Sequence, residues 1–406
     1  MKVALHRLGR LLACALVAGA GPAAAGGLAG AAAAQPSATT ACDSARGRVL
    51  RVGPGQTYAT IGAAARDAMS GDVVLISAGD YVGDVATWPQ NELTICGAGG
   101  RARLFAQGQQ AAGKGIWVIQ GARVVVDSVE FHDAKVPDRN GAGIRAEGRG
   151  LTIINAGFYD NENGILGPGA GELTIVRSEF ARNGFGDGQS HNLYVGAADR
   201  LTVLASFFHE ARIGHNLKSR ARETRIENSY FMDGADGTAS YQIDVPNGGL
   251  VFLRGNLIQK GPRADNATLI SYGSEGLRSG VTHTLTLVHN TLVSTYPGGS
   301  FIFAAPGVQS VVLKANLFAG TGAPPKINGA AWAKVVEDSS LVTTADPFGA
   351  ATRIDAPDFW PSDGLLAQTL LSSVPDPTYV DDAPRPYRLR AVVGATRRSG
   401  ALQRAP

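Results

Sequence analysis

Apolar and polar residues alternate in blocks that recur through the middle of the chain. Val124-Val125-Val126 leads to Phe131, Leu151-Thr152-Ile153 to Phe158, and Leu173-Thr174-Ile175 to Phe180. The series continues from Leu201-Thr202-Val203 to Phe208, Thr224-Arg225-Ile226 to Phe231 and Leu250-Val251-Phe252 to Leu257. It closes with Leu285-Thr286-Leu287 to Leu292 and Val311-Val312-Leu313 to Phe318. Counted from Leu151, the spacings are 22, 28, 23, 26, 35 and 26 residues. Each block reads as half-buried β-structure followed by Gly, Asn or Asp turn residues. Irregular periods of this size, with about two short β-runs each, predict stacked solenoid coils whose equivalent apolar positions form one continuous core. Asn-Gly and Asp-Gly hairpin turns do not separate the blocks, which argues against a sandwich, and the Leu/Asn spacing of leucine-rich repeats is absent.

Before the repeats, Thr57-Tyr58-Ala59-Thr60-Ile61 leads into Ala63-Ala64-Ala65 and Ala68, which predicts a short helix. Val73-Val74-Leu75-Ile76 follows as the expected first strand, bounded by Gly71-Asp72 and Gly79-Asp80. This combination closely resembles the opening segment of right-handed parallel β-helix proteins of the pectate lyase-like superfamily. The resemblance covers about residues 50–320. It implies an all-β, single-stranded right-handed parallel β-helix whose open end is capped by the helix, since an uncapped edge invites aggregation. The domain reading is a leader over 1–34, a β-helix over 35–320 and an irregular segment over 321–406 that packs on the flank. Phe359, Trp360 and Tyr379 support docking of that last segment, because aromatic side chains favour burial.

Composition agrees with a long stacked core. Of 406 residues 53 are Gly, 44% are hydrophobic and only 17% are charged. The Gly excess suits sharp bends between short strands. The formal charge of +3 comes from Lys2, Arg7 and Arg10; without residues 1–34 there are 34 basic and 34 acidic residues. Bulk charge therefore gives no support to nucleic-acid binding. A basic start, an apolar stretch over 11–20 and Ala-rich runs ending at Ala25 and Ala34 read as a secretory signal, cleaved after one of those two residues. No other segment is long and apolar enough to span a membrane. The expectation is a secreted or periplasmic monomer. Cleavage removes Cys14 and leaves Cys42 and Cys96, a pair able to form one disulfide in an oxidising compartment or to remain two buried thiols.

The candidate chemistry is local. Aligning Ile144, Ile165, Leu193, Leu217 and Ile243 as inward positions turns their neighbours outward. Two columns result, Asn192/Asn216/Gln242 and Tyr194/Lys218/Asp244, with Arg220 two residues beyond Lys218. His191, His215 and Tyr241 stack at the strand entrance. Such a density of titratable groups on adjacent coils marks a candidate site. Taken singly, Lys218 and Asp244 also read as a cross-strand ion pair, and His215 as a turn residue.

The resemblance implies that an acidic polysaccharide lies along this sheet. β-Elimination at a uronate needs stabilisation of the carboxylate, a base for the C5 proton and an acid for O4. Lys218 is the first choice as base and His215 its rival. Asp244 favours the charged ammonium of Lys218, an objection that His215 escapes. Arg220, Asn192, Asn216 and Gln242 are the expected grip on the carboxylate, with Asp244 at the same substrate-binding patch. Tyr241, Tyr194 or His191 supplies the acid. Calcium-dependent pectate lyases carry an acidic cluster on this sheet; here Asp244 alone projects clearly, with Asp160, Glu162 and Asp187 in nearby turns. Ca²⁺ is thus the one cofactor the resemblance raises, and no other metal site is expected. The carboxylate pairs of polygalacturonase-type hydrolases and pectin methylesterases are missing. A C5-epimerase shares the proton abstraction, and a non-catalytic carbohydrate-binding or envelope-structural solenoid needs only the grip.

Overall fold

The recurring blocks form coils of a right-handed parallel β-helix, because each coil can bury its apolar face only against its neighbours. The computed structural model describes residues 40–320 except Pro168. Beyond them it describes 327–328, 334–338, 341–343, 348, 351–355, 357–360, 379–381, 389–391 and 399–402. The leader assigned to 1–34, its two cleavage points and Cys14 lie outside the described residues. Each block is two strands meeting at a corner: Leu151–Ile154 turns into Gly157–Tyr159, and Arg200–Leu204 into Phe207–His209. A third strand per coil, such as Asn163–Gly167, Leu193–Val195 or Leu217–Ser219, belongs to a separate ten-stranded parallel sheet.

Register follows the apolar pattern. Leu151, Leu173 and Leu201 are neighbours across adjacent coils, as are Ile153, Ile175 and Val203. Phe131, Phe158, Phe180, Phe208 and Phe231 form an internal stack with ring centroids 5.1, 4.5, 4.6 and 4.9 Å apart. One block departs from the alignment made on the sequence. Thr224 pairs with Val251 rather than Leu250, and Phe231 with Ile258 rather than Leu257. A one-residue slip exchanges the two faces of a strand. Leu253 and Ile258 therefore point into the coil, while Leu250 is exposed on the outside.

The corners explain how short strands can bend without losing backbone hydrogen bonds. Asn155, Arg177, Ala205, Asn228, His289 and Ala315 all have φ between 46° and 52°, and only Gly255 in this column is a glycine. Glycine is thus not what makes the recurrent corner, contrary to the expectation from composition. The following residue supplies a compensating bond. The backbone N–H of Ser178 donates to Ser206 Oγ at 3.1 Å, and that of Ser206 to Ser229 Oγ at 3.1 Å. Asn256 and Asn290 donate in the same way to the side-chain oxygens of Asn290 and Asn316. Each corner N–H removed from the sheet is satisfied by the side chain one coil on.

At the N-terminal end, Val49–Val52 pairs with Val73–Val82, so the first strand precedes the one expected from sequence. The helix Ile61–Asp67 crosses this end, with Ile61, Ala64 and Ala65 in the same apolar cluster as Leu50, Val52 and Trp88. Thr60 Oγ1 accepts from Ala63 N–H, and the Asp84 carboxylate accepts from the N–H groups of Ile61 and Gly62. Gln90 donates to the carbonyls of Ala65 and Ala68, so both helix ends are capped. Cys42 and Cys96 are joined by a disulfide that fastens the preceding segment to the second coil. Along the flank, Phe348, Ala351, Phe359 and Ala401 pack over an outer apolar stripe that includes Phe207, Tyr230, Met232, Leu257, Val293 and Leu317. Among the described residues no helix is long and apolar enough to cross a membrane.

Candidate functional site

The ten-stranded sheet carries the candidate residues. Leu193, Leu217 and Ile243 are in register and wholly buried, which turns their successors outward as one row. That row runs Arg145, Leu166, Tyr194, Lys218, Asp244, Ser271. The other expected outward column is reversed. Asn192, Asn216 and Gln242 are completely buried. The strands here are only three residues long, and these amides lie in the corner before them, where strand alternation no longer applies. Asn192 Nδ2 donates to Asn216 Oδ1 and Asn216 Nδ2 to Gln242 Oε1, each at 2.6 Å. The ladder extends back through Asn183 to Asn161. These amides hold successive coils together and have no surface to offer a substrate.

His191, His215 and Tyr241 stack as the alignment suggests, with centroids 4.6 and 5.1 Å apart. His191 Nδ1 accepts the backbone N–H of His215 at 3.0 Å, and His215 Nδ1 that of Tyr241 at 3.3 Å. With Nδ1 used as acceptor, a neutral ring carries its proton on Nε2. In His215 that nitrogen lies 3.4 Å from Asp244 Oδ2. Burial drives His191 down to about 3, aided by the charges of Lys218 and Arg220. His215 is held well below its ordinary value by burial, then by His191, Lys218 and Lys260. Burial also pushes the Asp244 carboxyl up, against the pull of Lys218. The Tyr241 phenol is raised by burial and by Asp244.

A neutral buried histidine makes stability depend on pH in a defined direction. The unfolded chain takes up the proton first, so this contribution is complete above pH 6.5 and is lost as pH falls from there toward 3. For His191 alone the loss at pH 5 is about 2 kcal/mol. Urea unfolding of the wild type and His191→Gln at pH 7.5 and pH 5 is expected to show a pH dependence smaller by about that amount in the variant. Equal dependence in both would mean that His191 is protonated in the fold.

Lys218 Nζ donates to Glu275 Oε1 at 2.7 Å and lies 3.4 Å from Asp244 Oδ2. The Arg220 guanidinium donates to the other Glu275 oxygen, to Asn247 Oδ1, and through Nε to Tyr194 Oη at 3.0 Å. Burial works against the Glu275 carboxylate, but its bonds with Lys218 and Arg220 outweigh this and hold it below the usual carboxylate range. Only 11% of the Lys218 side chain is exposed, beside a Glu275 side chain that is 45% exposed. Sequence reasoning missed both Glu275 and Asn247. Glu275 lies in the loop 273–283, inside the longest spacing of the repeat, and that excess length was the available signal.

No family model matches the chain, and no curated protein matches it. Among solved structures it is similar to pectate lyase Pel9A, at 15% identity over 89% of this chain and 98% of that one, with a TM-score of 0.56. An alginate lyase from Paenibacillus sp. str. FPU-7 matches at 17% identity over 72% of this chain and 98% of that one, with a TM-score of 0.44. This chain shares the right-handed parallel β-helix fold of Pel9A. The β-helix scaffold is therefore one used by a polysaccharide lyase, while the chemistry must be argued from this chain's own residues.

Those residues do not fit Ca²⁺. The place between the Asp244 and Glu275 carboxylates is taken by the Lys218 ammonium. Asp160 is paired with Arg182 and Arg212, Glu162 accepts the N–H groups of Val136 and Gly141, and Asp187 accepts from Gln189 and Ser190. Among the described residues, no three His, Cys, Asp or Glu side chains come together as a metal site.

Proposed function

We propose that this protein is an exported lyase that cleaves a uronate-containing polysaccharide by β-elimination on the outward row of the ten-stranded sheet. The observation that carries the reading is the carboxylate of Glu275, held jointly by Lys218 and Arg220. It shows these two cations spaced to grip one carboxylate, the group every uronate unit presents. Substrate displaces Glu275, and its carboxylate takes the Arg220 fork. Lys218, in its neutral form, removes the C5 proton. The C5–H electrons become the C4–C5 double bond, the C4–O4 bond breaks, and O4 takes a proton from Tyr194, whose hydroxyl lies on Arg220. The adjacent guanidinium offsets the phenolate left behind. His215 is set aside as base because its Nδ1 lone pair is occupied and its Nε2 holds the proton. The Cys42–Cys96 disulfide supports export, together with the leader reading of residues 1–34.

The second reading is a solenoid that binds the polymer without cleaving it. It is favoured by the pairing of Lys218 with two carboxylates, since a charged ammonium takes no proton. A panel of uronate polysaccharides, followed by ultraviolet absorbance of the unsaturated product, separates the two. The lyase reading expects that product, and a KM several-fold lower in Glu275→Gln, which frees the grip. Binding without new chain ends leaves the second reading. Reducing ends without the unsaturated product would sink elimination in favour of hydrolysis.

A further inference from the structure

We propose that Arg145 forms a second carboxylate-binding subsite for the same polymer, three coils from Lys218 toward the N-terminal end. This rests on the reading of the site as one for polyuronate. Arg145, Leu166, Tyr194 and Lys218 are consecutive partners in the outward row, so the two cations are about 14 Å apart along the sheet. Leu166 and Tyr194 lie between them and offer apolar surface to sugar ring faces without competing for an anion.

Three observations single out Arg145. Its Nη1 is buried and donates to no acceptor among the described residues. An unpaired buried guanidinium nitrogen is unfavourable, so a carboxylate that draws the side chain out relieves the free state as well as binding the ligand. The acid that feels its charge, Glu147, makes no ion pair with it, because that carboxylate is held by Lys114 and by Gln120. The charge along the row is also asymmetric. Beyond Lys218 on the C-terminal side the row continues to Asp244, with Glu275 meeting it there, whereas on the N-terminal side it passes through Tyr194 and Leu166 to Arg145. An anionic chain leaving the Lys218–Arg220 grip is repelled in one direction and drawn toward Arg145 in the other. The planar fork of Arg suits bidentate recognition of a uronate carboxylate.

The test is the length dependence of affinity for oligouronates, read as Kd by calorimetry or as KM where the oligomer is cleaved. Wild type is expected to gain about tenfold once the oligomer is long enough to span the two cations, and Arg145→Gln to lose that gain while matching wild type on shorter oligomers. Equal affinity of wild type and Arg145→Gln at every length overturns the subsite and leaves the lyase reading standing. Equal losses on short and long oligomers overturn it too, by assigning Arg145 a structural role. If wild type binds and cleaves no polyuronate, the function proposed above falls and the subsite falls with it.

Discussion

Lys218→Ala is expected to lower kcat on a uronate polymer by about 10²–10⁴-fold, the usual contribution of a positioned general base. His215→Ala is expected to cost much less, about tenfold, through displacement of Asp244 and Tyr241 rather than loss of a proton acceptor. The ordering follows from hydrogen-bond bookkeeping in the stack. His215 has one ring nitrogen under the Tyr241 N–H and the other facing Asp244 Oδ2, so no lone pair reaches the open face. Lys218 is the side chain of the row that points to that face and meets the loop carboxylate there. Its obstacle is its two acidic neighbours, and Glu275 is the one that substrate removes. Steady-state rates for the two variants decide the matter. Near wild-type turnover in Lys218→Ala with loss in His215→Ala would reverse the assignment.

Asn216→Ala is expected to destabilise the fold by about 3–4 kcal/mol, while the KM of the folded enzyme stays unchanged. The side chain sits mid-ladder. Its Oδ1 accepts from Asn192 Nδ2 and from the Ala211 N–H at 3.3 Å, and its Nδ2 donates to Gln242 Oε1. Truncation leaves those groups short of partners in a fully buried corner and opens a cavity beside them. Urea unfolding together with polymer kinetics separates the two roles. A raised KM at wild-type stability would return Asn216 to the substrate grip that the sequence suggested.

Much of this molecule is legible in its residues, and the exceptions have physical causes. The coil pattern is plain because Leu, Ile and Phe recur at positions that can only be buried by stacking, as the five-ring Phe column shows. The row of Tyr194, Lys218 and Asp244 is legible for the same reason, since each follows an inward Leu or Ile. The amides were misread because strand alternation was extended past the ends of three-residue strands. Leu250 is misaligned on sequence because Leu250/Phe252 and Val251/Leu253 fit the alternating apolar template equally well, and it is the pairing of Val251 with Thr224 and of Leu253 with Ile226 that selects the second. Glu275 reaches the site from a loop, where no periodicity points to a partner.

The outer stripe under Phe348 and Phe359 has a consequence in time. Phe207 and Tyr230 leave the ribosome well before the segment that shelters them, so coils that are already stacked present an apolar strip with its cover still unmade. Such a strip exposes the chain to aggregation until its cover is made. A chain halted just after the strand Leu341–Thr343 would carry its stacked coils and an adhesive flank.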